Sequence, residues 1–309
     1  MNSSAILPQI DTLFYGYTPT RGVCMSFAIL FAITTLAHFL QALTCRDWYW
    51  LPTACLAGLG EMLGWGARWW SSINPVDEKP YLIQIVTLIL APTPLVAGIF
   101  IVFGRLVEQL GPQYSRLTPK LYSKVFITSD ILCLAIQAIG GGQAAGASSA
   151  SDTSADIGGW IMLGGIVLQM LSLLVFAILA TDFLFRFRSE KPFHQDVEVQ
   201  APPKGPREDA DPKIEVLIRG ISICTFFLSV RAVYRIVELS DGFDGTVIRT
   251  QIYFDIFDGA MVLLAFFVMN LAYPVCLYRP RASSKKEHTT DSDILCSLRG
   301  DWLCINPAV

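Results

Sequence analysis

Apolar residues fill seven stretches of the chain, each about as long as a helix that crosses a bilayer. They lie at about 23–43, 48–70, 81–103, 125–143, 159–183, 216–239 and 252–278. About 20 mainly apolar residues are enough for a helix to cross the hydrocarbon core. The pattern therefore predicts an all-α integral membrane protein, a seven-transmembrane helix bundle whose termini lie on opposite sides of the membrane.

The polar segments divide the chain around this membrane domain of residues 23–278. Residues 1–22 form a short N-terminal arm, and residues 279–309 form a polar tail. Between spans five and six, residues 189–212 are rich in proline and in charges of both signs, which predicts a disordered linker. The linker and the tail are the candidate surfaces for cytosolic partners.

Lysine and arginine are distributed unevenly between the two sides of the predicted bundle. With the N-terminus outside, sixteen of them fall in inner segments and only four in outer segments. Because cytosolic loops carry an excess of Lys and Arg, this bias predicts an outer N-terminus and a cytosolic C-terminus.

Composition narrows the class of protein. The chain has 309 residues, of which 53% are hydrophobic and 16% charged, and its net charge is −3. No basic stripe interleaved with aromatic residues indicates nucleic-acid binding. The eight cysteines show no C-x-x-C or Cys/His spacing and no Walker A pattern is present, so we expect no metal and no cofactor.

Three ionisable residues lie together near the end of span six. Arg231, Arg235 and Glu238 are spaced i, i+4 and i+7, which places them on one side of a helix. A charge exposed to hydrocarbon costs at least about 3 kcal/mol, so such residues face a bundle interior or a wet cavity and find partners there. The side that carries them is the first candidate for function.

Other spans carry polar side chains at matching depths. Span two has Glu61 and Arg68 on one face, together with a Gly60/Gly64 pair that lets a neighbouring helix approach. Span three has a proline at mid-depth, Pro92, which predicts a kink. The remaining candidates are Gln84 in span three, Asp130 and Gln137 in span four, and a polar stripe in span seven formed by Gln251, Asp255 and Asp258.

These polar groups predict a head-group site in the outer half of the membrane. Arg231 and Arg235 are expected to pair with carboxylates drawn from the set of Glu61, Asp255 and Asp258, because an unpaired buried charge is costly. The site has one more acidic than basic residue, which suits a cationic or zwitterionic head group. The acidic residues are Glu61, Glu238, Asp255 and Asp258, and the basic residues are Arg68, Arg231 and Arg235. The alternative is a buried ion network that only fixes helix register.

The order of these residues resembles the fungal lipid-translocating exporter family of RTA-like proteins, from Tyr15 to about Tyr278. Shared elements are Tyr15-Gly16-Tyr17-Thr18-Pro19, the Glu61/Gly64/Arg68 stretch, Gln84, Ala91-Pro92, Gly104-Arg105, Asp130 with Gln137 and Gly140, Gln169, Arg231/Arg235/Glu238 with Gly242 and Gly245, and Asp258. Span seven departs from the family pattern at three positions. Gln251 stands where the family usually has glutamate, Asp255 where it has tyrosine, and Tyr273 where it has histidine. The resemblance implies seven spans and a role in aminocholesterol resistance or sphingoid-base release at the plasma membrane.

Three classes of function remain open on the sequence. The first is a transporter or exporter of lipid-like amphiphiles, such as sphingoid long-chain bases or sterol-like toxicants. The second is a receptor-like sensor or regulator of lipid asymmetry or stress. The third is an intramembrane lipid hydrolase, which ranks last because His38 is the only histidine in a span and is best interpreted as a packing residue.

Overall fold

A computed structural model describes residues 16–146, 153–193, 212–240 and 245–272. All regular structure within these ranges is helical, and no strand occurs in them. Six of the described helical segments are long and apolar enough to cross a membrane, namely Arg21–Thr44, Glu78–Leu110, Pro119–Ala144, Asp156–Arg188, Pro212–Ser240 and Gln251–Ala272. The protein is therefore an integral, multi-pass membrane protein.

The described residues form nine α-helices. In chain order they are α1 (Arg21–Cys45), α2 (Leu56–Ile73), α3 (Glu78–Leu90), α4 (Thr93–Leu110), α5 (Pro119–Ala145), α6 (Thr153–Arg188), α7 (Pro212–Ser240), α8 (Gln251–Phe254) and α9 (Met261–Ala272). Two π-helical turns, Leu51–Cys55 and Asp255–Ala260, lead into α2 and join α8 to α9.

The helices differ from the apolar stretches at particular places. Span three is two helices, α3 and α4, because Pro92 interrupts the rod and α4 then continues to Leu110. Span two falls outside the six membrane candidates, and its helix α2 contains the charged residues Glu61 and Arg68. Helix α6 reaches Arg188, and Asp182 in its last turns is 2.8 Å from Arg116 of the α4–α5 connection.

Some predicted segments lie outside the described residues. These are most of the N-terminal arm, the greater part of the 189–212 linker, the last residues of span seven and the 279–309 tail. Helix α7 begins at Pro212, so the end of the predicted linker is its first helical residue.

The helices pack as a closed ring. Helix α1 lies along α2, α2 along α3, α4 along α5, α5 along α6, α6 along α7, and α7 along α9, which also contacts α1. Their inner faces carry aromatic contacts, for example Phe176 against Phe100 and Phe103 at centroid distances of 4.6 Å and 5.2 Å. The outer faces are apolar as well: Ile29, Ile33, Leu36 and Leu40 of α1 are exposed. Apolar residues on both faces are typical of helices solvated by lipid.

Glycines allow the closest helix contacts. A Cβ on Gly140 of α5 would lie 2.5 Å from the backbone nitrogen of Met162 and 2.7 Å from the carbonyl oxygen of Gly158, both on α6. Gly60 and Gly64 of α2 similarly face Ala91 and Leu88, the approach that the small-residue spacing predicts. Small residues let helix backbones approach in the absence of a hydrophobic drive between helices.

We predict that Gly140→Ala destabilises the bundle. The added methyl meets backbone atoms that cannot move aside, and overpacking of this kind costs about 1–3 kcal/mol. Gly142→Ala is the control, since nothing lies within 4 Å of its Cβ position and alanine favours a helix. Thermal unfolding of the purified protein in detergent should show a lower Tm for Gly140→Ala alone, and an equal loss in both variants would contradict the packing argument.

Candidate functional site

A compact ion cluster joins α7 to the π turn after α8. The Arg235 guanidinium donates to both oxygens of Asp258, Nε to Oδ1 at 2.9 Å and Nη2 to Oδ2 at 2.6 Å, while its Nη1 donates to Glu238 Oε2 at 2.8 Å. Arg235, Glu238 and Asp258 are each at most 3% exposed. A two-point arginine–carboxylate contact fixes orientation as well as charge.

Arg231 completes the cluster one turn earlier on α7. Its Nε lies 2.9 Å from Asp258 Oδ1, and its Nη2 donates to the Leu88 carbonyl at 2.6 Å. That carbonyl is free because Pro92, four residues later, has no N–H to donate to it. The kink of span three thus supplies an acceptor for a membrane-embedded arginine.

The pairing corrects part of the sequence expectation. Both arginines pair with Asp258, but Glu238 takes the remaining bond of Arg235, and neither Glu61 nor Asp255 is within ion-pair distance of Arg231 or Arg235 in the described residues. Asp255 instead accepts from Gln251 Nε2 at 3.0 Å, and Gln251 accepts from Thr20. A π turn adds a residue to the helical turn, so Asp255 and Asp258 do not share the single stripe that α-helical spacing predicts.

Glu61 of α2 lies beside the cluster. It is 2% exposed, and its Oε1 has no hydrogen-bond partner. It is close enough for electrostatic interaction with Arg231, Arg235 and Asp258. Glu61 is therefore a buried carboxyl next to an ion cluster in which both arginines form ion pairs with Asp258.

Arg68 forms a second cationic centre, at the end of the bundle where α1 begins. Its Nη1 donates to Gln84 Oε1 at 3.2 Å, its Nη2 donates to the Tyr17 hydroxyl at 2.5 Å, and its guanidinium lies 4.2 Å from the ring centroid of Phe254. Burial raises the pKa of the Tyr17 phenol, although Arg68 partly opposes the shift. The segment before α1 is thus held over the end of the bundle.

The first cavity, which we call the Arg68 cavity, lies below this segment and has a volume of about 20 Å³. Arg68, Gln84, Arg235 and Glu238 supply its polar wall. Its other lining residues are Tyr17, Tyr81, Ile85, Ile89, Met162, Leu239, Ile248 and Phe254. The two cationic centres therefore open onto one space.

The second cavity, the Asp130 cavity, follows directly and shares Ile89 and Arg235 with the first. Its volume is about 30 Å³, enough for at least one water molecule. Arg231 and Asp130 border it on opposite helices, α7 and α5. Three further polar residues line it in a chain of hydrogen bonds: Gln137 Nε2 donates to Gln169 Oε1 at 2.8 Å, and Gln169 Nε2 donates to Thr93 Oγ1 at 2.9 Å.

The third cavity, the Ser222 cavity, is larger and mainly apolar. It measures about 110 Å³ and lies between α4, α6 and α7. Its lining residues are Phe103, Leu106, Phe176, Ala177, Ala180, Thr181, Leu184, Ile218, Ile221, Ser222 and Thr225. The Asp130 cavity ends at Leu173 on α6 and at Leu228 on α7, and the Ser222 cavity begins about one helical turn further along the bundle.

The structure thus divides the predicted site residues into groups. The first cavity is bordered by Arg68, Gln84 and Glu238, and the second by Asp130, Gln137 and Arg231. Arg235 borders both cavities. Asp258 holds the arginines, whereas Glu61, Gln251 and Asp255 line none of the three cavities. Tyr17, Thr93 and Gln169 were not selected from the sequence as site residues. Tyr17 and Gln169 stand among the motifs of the resemblance, which is the signal that could have found them.

Buried ion pairs and stacked cavities in an all-helical bundle are typical of membrane proteins that handle polar solutes or lipid head groups. The family described as "RTA1 like protein" matches residues 54–281, so the chain belongs to that family. The resemblance noted in the sequence is thereby confirmed.

Three yeast proteins illustrate the relationship. The "Sphingoid long-chain base transporter RSB1" of Saccharomyces cerevisiae (strain Lalvin EC1118 / Prise de mousse) is 28% identical over 308 residues, covering 91% of this chain and 80% of that protein. "Protein RTA1" of S. cerevisiae (strain ATCC 204508 / S288c) is 26% identical, with 84% of each chain covered. "Protein RTM1" of S. cerevisiae is 25% identical and covers 81% of this chain and 88% of its own. No solved structure matches the chain.

We predict that Asp258→Asn destabilises the protein far more than Asp255→Asn. Loss of the Asp258 charge leaves two buried arginines without their shared partner, and breaking a buried ion pair costs about 3–5 kcal/mol. Asp255 is a matched control, because it lies in the same π turn and forms no ion pair with Arg231 or Arg235. Thermal unfolding of the two purified variants in detergent should show a lower Tm for Asp258→Asn than for Asp255→Asn.

A second substitution tests the reason for that loss. Replacing Arg231 with methionine in the Asp258→Asn background removes one of the two uncompensated charges. The double variant should therefore have a higher Tm than Asp258→Asn alone. Equal stability of the two asparagine variants, or no recovery in the double variant, would contradict a shared role of Asp258.

Proposed function

We propose that this protein moves lipid-like amphiphiles across the membrane and that sphingoid long-chain bases are its first substrate class to test. The observation that carries the proposal is the succession of cavities along α7. They contact α7 from Leu239 to Ile218, a rise of about 32 Å at ~1.5 Å per residue, close to the roughly 30 Å of a hydrocarbon core. The RSB1 relative supplies the substrate class.

The polar residues take complementary roles in this proposal. The Arg68 cavity, with Gln84 and Glu238, is the first contact for a head group in the outer leaflet. Arg231, Arg235 and Asp258 divide it from the Asp130 cavity, where Asp130 and Gln137 form the next contact. Glu61 is a buried carboxyl beside the divide, and Gln251 and Asp255 hold the segment before α1 at the entrance.

The proposed topology has seven spans. Helix α2, with the two turns before it, runs over residues 48–73, about 39 Å at ~1.5 Å per residue, and packs between α1 and α3. Its two charged residues, Glu61 and Arg68, are buried rather than directed at lipid. Both observations support a seventh crossing. The bias of Lys and Arg supports an outer N-terminus and a cytosolic C-terminus. The proposed location is the plasma membrane, which the family resemblance implies.

The polar groups favour a transporter over an enzyme. His38 is 1% exposed, and its ring lies 5.5 Å from that of Trp50 and 5.7 Å from that of Phe266. A histidine enclosed by aromatic rings has the packing role expected from the sequence and borders none of the three cavities. This supports a non-enzymatic protein over an intramembrane hydrolase.

The transport proposal predicts flux in a purified system. Vesicles that contain the protein should move a labelled long-chain base between leaflets faster than protein-free vesicles. Ala232→Phe should reduce the rate at least tenfold, because Ala232 lines the Asp130 cavity and a phenyl ring fills it. Val233→Phe places the same ring on the neighbouring residue, which is 52% exposed to the surroundings, and should leave the rate unchanged.

Two results would contradict the proposal. One is the absence of protein-dependent flux in vesicles when the protein binds the base, which would favour a sensor. The other is an equal loss of flux in Ala232→Phe and Val233→Phe at equal reconstitution, which would place the route elsewhere.

The topology predicts the side from which the linker is cut. A protease site inserted between residues 194 and 211 should be cleaved in inside-out vesicles or permeabilised cells and protected in intact cells. An epitope fused before residue 16 should show the opposite accessibility. Cleavage of the linker in intact cells would reverse the proposed orientation.

A further inference from the structure

Charge balance in the buried cluster leaves one cavity-lining carboxylate without a cation. Arg231 and Arg235 carry two positive charges, and their direct partners Asp258 and Glu238 carry two negative ones. Arg235 donates to Asp258 and Glu238, and Arg231 donates to the Leu88 carbonyl. An anionic head group at the arginines would have to compete with these two carboxylates for their charge.

Asp130 lies across the cavity from these arginines and is 2% exposed. No lysine or arginine of the described residues is within ion-pair distance of it, and its Oδ2 has no hydrogen-bond partner. A buried carboxylate is stable only when a cation or a proton neutralises it. Asp130 therefore offers a carboxyl group that a cation entering the cavity can neutralise.

Gln137 provides a second acceptor on the same helix. It is seven residues after Asp130 on α5 and lines the same cavity. Its Nε2 is engaged by Gln169, whose own Nε2 is engaged by Thr93, so the orientation of the amide is fixed. Its Oε1 is buried and has no partner. Two unused oxygens on one wall form a site for a donor, and the one on Asp130 can form an ion pair with a cationic donor.

We propose that the Asp130 cavity binds the primary ammonium of a long-chain amine, with Asp130 as the ionic partner and Gln137 as the second acceptor. This rests on the proposed function and adds the contact that selects the head group. An ammonium has only donors, which match the two oxygens. The site distinguishes an amine from its neutral N-acylated form and from its phosphate ester, which is repelled by the carboxylate.

Binding to the purified full-length chain in nanodiscs tests the proposal. The probes are a long-chain 2-amino-1,3-diol, the same molecule N-acetylated, and its 1-phosphate. Wild-type protein should bind the amine most tightly. Asp130→Asn should weaken amine binding about ten- to a hundredfold, the range for a hydrogen bond to a charged group, and leave the N-acetylated probe unchanged.

Asp47→Asn is the matched control, since Asp47 lies at the far end of α1, 28% exposed and 3.7 Å from Arg105, outside all three cavities. It should bind all three probes as the wild type does. Equal loss for the amine and the N-acetylated probe in Asp130→Asn, or unchanged preference for the amine, would overturn the assignment.

A measurement on the unaltered chain covers the case in which Asp130→Asn does not fold. A long-chain amine with a photoreactive diazirine on the carbon next to the amino-bearing carbon should label α5 or α6 residues that line the Asp130 cavity, such as Met170. Labelling confined to the Arg68 cavity or to lipid-facing helices would refute the site. Flux that persists in folded Asp130→Asn would refute this site and leave the transport proposal standing. Selective binding of the amine without flux would support this site and refute the transport proposal.

Discussion

The pairing of two arginines with Asp258 is the constraint on which the centre of the bundle depends. Each guanidinium would be costly in hydrocarbon, so α7, the π turn after α8 and the kink of span three must meet at one point. Asp258 lies 2.9 Å from Arg231 Nε and 2.6 Å from Arg235 Nη2, and the Leu88 carbonyl freed by Pro92 accepts from Arg231 Nη2. Two irregularities of the chain, the π turn and the kink, thus meet at the same pair of arginines.

The same cluster divides the interior of the bundle. Arg235 and Ile89 belong to both the Arg68 cavity and the Asp130 cavity, so any movement between them involves the side chain that holds Asp258 and Glu238. Because breaking such pairs is costly, the divide is closed in this structure. A transporter needs a barrier of this kind, one that a ligand with suitable charges can rearrange by offering replacement partners.

The sequence pattern predicted the helices well because lipid demands long apolar runs, and it located the ionisable groups because so few occur there. It predicted that Arg231 and Arg235 need carboxylates, and Asp258 is confirmed as their partner. Of the three carboxylates among which it sought their partners, Glu61 and Asp255 form no ion pair with them, and α-helical periodicity does not show that residues 255–260 form a π turn. Pro92 indicates that a backbone carbonyl is free, but not that Arg231 donates to it. Asp130 was selected as a polar residue inside span four, but its lack of a cation required the distances between helices.

The central claim is that an amphiphile occupies the row of cavities beside α7. A cryo-electron microscopy reconstruction of the protein in nanodiscs with a saturating long-chain base tests it most directly. The account predicts ligand density between α4, α6 and α7, with the head group beside Asp130 and the chain toward the Ser222 cavity. Density confined to the lipid-facing surface of the bundle, with all three cavities unchanged, would contradict it.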